Sequence, residues 1–118
     1  MPDRFVISNT FSLRMLYYCF HELTFEPVPE DCVREILQRV MQEDPARVVS
    51  IVGHESTAKL FSEVLGIDVP VNRVNYTFSC GDKLFVGVPN TPRLPEGKVL
   101  SKEELEKLGI QWWLVKFA

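Results

Sequence analysis

Only two histidines occur in the 118 residues, and one of them sits in the run Gly53-His54-Glu55-Ser56-Thr57, just ahead of apolar residues at helical spacing. The first N–H groups of a helix have no partner inside it and carry positive potential, so a helix start is a seat for phosphate. Gly53 lets backbone approach a ligand. Ser56 and Thr57 offer hydroxyl donors, and an imidazole suits proton transfer because histidine titrates near neutrality. The same residues also fit a plain helix start with a solvated histidine.

Three further places carry usable chemistry. Arg73, after Asn72, falls at the head of an extended segment, where a planar guanidinium can give a phosphate two parallel hydrogen bonds; a surface arginine is the ordinary alternative. Arg93 and Glu96 are three apart in the proline-bracketed stretch Thr91 to Lys98. A loop stiffened in this way can fix catalytic groups, or simply carry an exposed ion pair worth little. The Glu96-Gly97-Lys98 triplet is not a phosphate-binding P-loop, because the upstream glycine and the following Ser or Thr are missing. Asn9 and Ser12 follow the first apolar segment, at the carboxyl end of a strand, where open sheets commonly bind ligands. His21 lies beside aromatics and reads as packed or solvated. The cysteines, Cys19, Cys32 and Cys80, are too far apart for a zinc-type cluster. The sequence therefore calls for no metal and no cofactor.

The elements that must hold these groups follow from local pattern. Arg4 to Ser8 reads as a short buried strand. An alternating piece after His21 reads as a second strand, ended by Pro27 and Pro29. Val33, Ile36, Leu37 and Val40 lie at helical spacing in a helix from Pro29 to Glu43, with Glu30 and Asp31 suiting its first turn and Pro45 stopping it. Arg47 to Val52 is extended. Gly53 breaks that run, and a helix follows from His54 with Ala58, Leu60, Phe61, Val64 and Leu65 on one face and Gly66 as its stop. Val71 to Ser79 and Lys83 to Val88 read as a β-hairpin around Cys80-Gly81-Asp82. A proline-rich loop spans 89–100. Ser101 and Glu104 form a capping box for a helix at 102–108, and Ile110 to Phe117 is a last strand. Helices interleaved with strands place the chain in the α/β (α+β) class, as one compact domain, residues 1–118, with a mixed β-sheet flanked by helices.

Bulk properties narrow the function. Apolar residues make up 46% of the chain, charged residues 25%, and the net charge is −3. That balance argues against sequence-blind binding to long DNA or RNA, which needs a basic stripe, but leaves room for a small anion in a locally positive pocket. No apolar run approaches the roughly 20 residues that span a bilayer, so no membrane partner is expected. An odd number of scattered cysteines fits a reducing, cytoplasmic setting.

Taken in order, Asn9-Thr10-Phe11-Ser12-Leu13-Arg14-Met15-Leu16, Val49 to Val74, Gly81 to Val88, Arg93 to Leu105 and the apolar C-terminal strand resemble the viral anti-CRISPR ring nucleases, whose members are encoded by archaeal viruses, phages and bacterial mobile elements. The resemblance covers nearly the whole chain. It implies a phosphodiesterase that binds and cuts cyclic tetra-adenylate, the second messenger of type III CRISPR systems, and so switches off the effectors which that messenger activates. It implies a homodimer with the ligand across the two-fold axis, acting in the host cytoplasm. By position it implies His54 as catalytic acid, Arg93 and Glu96 as its assistants, and Arg73, Asn9 and Ser12 as ligand contacts. Gly53, Ser56 and Thr57 join the ligand set by the helix-start argument above.

The chemistry that follows requires no metal. A ribose 2′-hydroxyl can attack its own phosphorus once aligned with the leaving 5′-oxygen, provided that charge on the non-bridging oxygens is stabilised and the leaving oxygen receives a proton. The products would be linear di-adenylates ending in 2′,3′-cyclic phosphate. A sponge that binds the messenger without cutting it stays open as an alternative. So does a protein-interaction module, for which the Trp112-Trp113 pair speaks, since Trp is enriched at interface hot spots.

Overall fold

In the computed structural model, residues 4–11, 22–74, 76–89 and 109–117 are described. Five strands are formed by Phe5–Ser8 (β1), Leu23–Val28 (β2), Val48–Ser50 (β3), Lys83–Pro89 (β4) and Ile110–Phe117 (β5). Two helices span Glu30–Glu43 (α1) and Glu55–Leu65 (α2), and a 3-10 turn covers Pro45–Arg47. The strands make one sheet in the order β2-β5-β4-β1-β3. β1 is parallel to both β3 and β4, whereas β5 is antiparallel to both β4 and β2. The domain is α+β, and its described residues form a five-stranded mixed sheet with two helices.

Alternation along the strands divides the core in two. Phe5, Ile7, Phe85, Trp112 and Leu114 point to the face covered by α1 and α2, where they meet Val33, Leu37, Val40, Leu60, Phe61 and Leu65. Val6, Leu84, Val86, Val115 and Phe117 point the other way and pack with Phe78, whose ring stacks on Phe117 at 4.4 Å between centroids. Both helices therefore lie on one layer, and chain without regular secondary structure contributes cover to the second.

The helix ends behave as their residues dictate. Pro29 precedes α1 in extended geometry (φ −66°, ψ 145°), and the side chain of Asp44 accepts from the Ala46 N–H to start the 3-10 turn. Gly66 closes α2 with φ 66°, a conformation that costs glycine little. The carbonyls left over at that end are taken by α1, since Arg34 Nε donates to Val64 O at 2.8 Å and Gln38 Nε2 to Leu65 O at 2.9 Å. The C-terminus of α2 is thus tied to α1, and its N-terminus is directed to the edge where β1 and β3 end.

Two expectations are corrected. The hairpin of Val71 to Ser79 with Lys83 to Val88 does not form. Both edges of β4 are already taken, by β1 and β5, so the described residues of 71–79 have no edge of β4 to join. The tight turn itself is present, with Gly81 at φ 93° and the Asp82 N–H donating to Ser79 O at 3.1 Å. Pro27 does not end β2 but lies inside it, opposite Trp113. β2 is an edge strand, where a missing N–H is tolerated. The proline-rich loop from residue 90 on, the capping box of Ser101 and Glu104 and the helix at 102–108 lie outside the described residues.

Candidate functional site

The candidate site is built at the carboxyl edge of the parallel strands. β1 ends in Ser8, which is fully buried; its hydroxyl donates to Thr10 O at 2.9 Å and accepts the Thr10 N–H at 3.1 Å. That local bond turns the chain at Asn9. β3 ends beside it in Ser50, also buried, and the Ile51 N–H donating to Ile7 O at 2.9 Å carries the pairing one residue past β3. β4 runs parallel to β1, so the chain leaves β4 at Pro89 on this same edge.

Residues 50–54 and 70–73 are clasped side by side. The Ser50 hydroxyl donates to Pro70 O at 2.6 Å and accepts the Val52 N–H at 3.3 Å. The Asn72 N–H donates to Val52 O at 2.8 Å, and its side-chain Nδ2 donates to Ser50 O at 2.9 Å. One residue on, Arg73 Nε donates to Gly53 O at 2.6 Å. Arg73 lies so close over Gly53 that a Cβ there would stand 3.3 Å from Arg73 Cγ. A side chain at this point would press on Arg73, which would have to give by a few tenths of an ångström.

His54 is the cap residue of α2, in extended geometry (φ −124°, ψ 130°). Its carbonyl accepts the Ala58 N–H at 2.9 Å, but its side chain makes no capping bond and is exposed. The imidazole therefore does no work for the helix and projects from the end where unpaired N–H groups gather. Ser56 is exposed in the first turn and Thr57 half-buried.

The arginines differ in what they do with their charge. Arg4 pairs with Asp82 at 3.0 Å, Arg34 with Asp31 at 3.0 Å and Arg39 with Glu35 at 3.2 Å. Arg73 is exposed, and among the described residues it is held through Nε to a backbone carbonyl and pairs with no carboxylate. Asn9, Gly53, His54, Ser56, Thr57 and Arg73 thus share one edge of the molecule. Arg73 does not head a strand, as the sequence pattern had suggested; the clasp to 50–53 places it instead. Ser12, Arg93 and Glu96 lie outside the described residues. Among those described, no three His, Cys, Asp or Glu side chains converge as a metal site, and no helix is long and apolar enough to cross a membrane.

Sequence reasoning passed over Ser8 and Ser50, which build this edge, and named Asn72 without a role. A signal was present. Each of two apolar strands closes on a serine followed within a few residues by Asn or Gly, and a small hydroxyl at a strand end can bond the backbone of the turn that follows.

Known proteins match along most of the chain. "Uncharacterized protein 26" of the Sulfolobus islandicus filamentous virus is 44% identical over 69 residues, 58% of this chain and 58% of that relative. "Uncharacterized protein ORF117" of Acidianus two-tailed virus is 35% identical over 83 residues, 70% of each chain. "Uncharacterized protein ORF116" of Acidianus filamentous virus 1 is 33% identical over 100 residues, 85% of this chain and 80% of that one. Among solved structures, B116 of Sulfolobus turreted icosahedral virus superposes with a TM-score of 0.78 at 26% identity, over 96% of this chain and 98% of its own. The family model described as STIV B116-like matches residues 5–112, and the chain belongs to that family.

Proposed function

We propose that the protein is an anti-CRISPR ring nuclease that binds cyclic tetra-adenylate and cuts it into linear di-adenylates with 2′,3′-cyclic phosphate ends. The observation that carries this reading is the clasp that holds Arg73, without a carboxylate partner among the described residues, against Gly53 O, next to an imidazole that does not cap its own helix. An anchored cation, a helix start and an unused proton donor side by side are what phosphodiester cleavage by an internal nucleophile requires. The STIV B116-like family is the one known for such ring nucleases, which gives the reading its substrate.

In the proposed reaction the ribose 2′-oxygen bonds to phosphorus, the bond from phosphorus to the 5′-oxygen breaks, and the 2′-hydroxyl proton passes to solvent. His54 gives a proton to the departing 5′-oxygen. Arg73 and the N–H groups of the first turn of α2 hold the phosphate, and Asn9 and Ser12 flank it. Arg93 stabilises charge on the non-bridging oxygens, and Glu96 favours the protonated imidazole. Two such cuts open a four-membered ring into two equal halves. A ring with four-fold symmetry contains a two-fold axis, so a C2 dimer would meet it with the same contacts from either side. Two copies of Arg73 and Arg93 would then converge on one ligand, which a net charge of −3 per chain permits.

The test is to incubate the purified protein with cyclic tetra-adenylate in EDTA and separate the products by chromatography, with light scattering for mass. Di-adenylate products and a dimer mass are expected. Intact ring that co-elutes with the protein would replace the nuclease by a sponge. Absence of any association would favour an interaction module, for which the 39% exposure of Trp113 is the supporting observation.

A further inference from the structure

We propose that Asn72 is a positioning residue for Arg73, an inference that rests on the phosphodiester-binding reading above. Asn72 has two jobs, one from its backbone and one from its side chain, and both fix the same register. Its N–H reaches Val52 O at 2.8 Å, and its Nδ2 reaches Ser50 O at 2.9 Å. Two bonds from one residue to carbonyls two apart leave the segment a single way to lie along 50–53. Only in that alignment does Arg73 Nε fall on Gly53 O at 2.6 Å, with Arg73 Cγ over the glycine.

The chemical consequence concerns the outer edge of the guanidinium. With Nε bound to the Gly53 carbonyl, the guanidinium is tethered at one nitrogen, and among the described residues its Nη groups pair with no carboxylate. A planar fork gains over a flexible ammonium only when its plane is fixed before the anion arrives. Segment 70–73 has no strand neighbour that would align it otherwise, because it belongs to no strand. Ser50 supports the arrangement from below, since its buried hydroxyl holds Pro70 O at 2.6 Å. Asn72 touches the ligand in none of this; it acts through Arg73.

A double-mutant cycle tests the inference. The affinity of cyclic tetra-adenylate is measured for the wild type, Asn72→Leu, Arg73→Ala and the double variant, each in the His54→Ala background so that the ring stays whole. Thermal unfolding of every variant is recorded in parallel. Loss of one aligned, charge-assisted contact corresponds to about a tenfold weakening. Asn72→Leu should weaken binding by about that factor when Arg73 is present and change it by less than about twofold when Arg73 is already alanine. A merely structural role would lower affinity equally in both backgrounds, and that result, or an unchanged affinity for Asn72→Leu, overturns the inference. Should Asn72→Leu fail to fold, Asn72→Ser removes the Nδ2 donor without adding bulk, and the same cycle decides. If the parent protein does not bind the ring at all, it is the functional reading that falls. If it binds and Arg73→Ala weakens it while the cycle is additive, only the positioning role is lost.

Discussion

The two ends of the sheet each hold an arginine, and they use it in opposite ways. At the amino end Arg4 donates Nη2 to Asp82 Oδ2 at 3.0 Å and Nε to Asp82 Oδ1 at 3.3 Å, and lies 4.9 Å over the Tyr76 ring. Asp82, only 3% exposed, also accepts the Ser79 N–H at 2.9 Å. The charge is consumed where it stands, closing the turn before β4. At the carboxyl end Arg73 is tethered by one bond to Gly53 O, but nothing described neutralises it. Holding a cation and neutralising it are separate acts. A fold that does both has built a structural lock, and one that does only the first has left potential for a ligand.

The comparison can be broken most sharply at His54. His54→Ala should still bind cyclic tetra-adenylate but cut it about 10²–10⁴-fold more slowly in single turnover, the usual loss on removing a general acid. Stability should move by no more than about 0.5 kcal/mol, because the side chain caps nothing. Cleavage at the wild-type rate would return the histidine to the role of an idle helix cap.

Arg73→Ala comes next. Binding should weaken by roughly ten- to a hundredfold, with the single-turnover rate at saturating enzyme close to wild type, because a phosphate anchor acts alike in ground and transition states. The unfolding midpoint should barely shift. A large drop in stability with intact binding would make Arg73 a second lock like Arg4 and erase the contrast between the two ends.

Asp82→Ala should do the reverse. It strands the Arg4 guanidinium and the Ser79 N–H and should cost about 2 kcal/mol in chemical denaturation, a figure restrained by the half-exposed side of the pair. Ring binding should survive in the fraction that stays folded.

The smallest effect lies beside that lock. The buried Tyr76 hydroxyl has no hydrogen-bond partner among the described residues, and burial first, then the Asp82 carboxylate, pushes its pKa up to about 12 against the opposing pull of Arg4. Tyr76→Phe removes an unsatisfied group and should leave stability unchanged or raise it by about 1 kcal/mol. The sign of the pH effect follows from the same shift. The folded protein holds the phenolic proton more tightly than the unfolded chain does, so its stability is complete below pH 10 and falls as pH rises from about 10 to about 12. Denaturation curves taken across that range should be flatter for Tyr76→Phe than for the wild type.

Much of this molecule was readable from local pattern. Both helices, their stops at Pro45 and Gly66, and the strands β1 and β5 follow from spacing and capping residues, because a helix or a buried strand is decided by neighbours within a few positions. The candidate residues Gly53, His54 and Arg73 were visible as chemistry on the same grounds. What sequence could not decide was who pairs with whom. The segment 71–79 alternates like a strand, but β4 had two better partners, one of them β1, 78 residues upstream of it. The Trp112-Trp113 pair reads as one motif, yet the register of β5 buries Trp112, whose Nε1 donates to Glu30 Oε1 at 3.1 Å, and leaves Trp113 exposed. Arg73 meets Gly53, 20 residues away, in a segment where Asn72 Nδ2 reaches Ser50 O and the Ser50 hydroxyl reaches Pro70 O. Contacts of that kind are chosen by competition among distant edges and carbonyls, and only the folded chain resolves the competition.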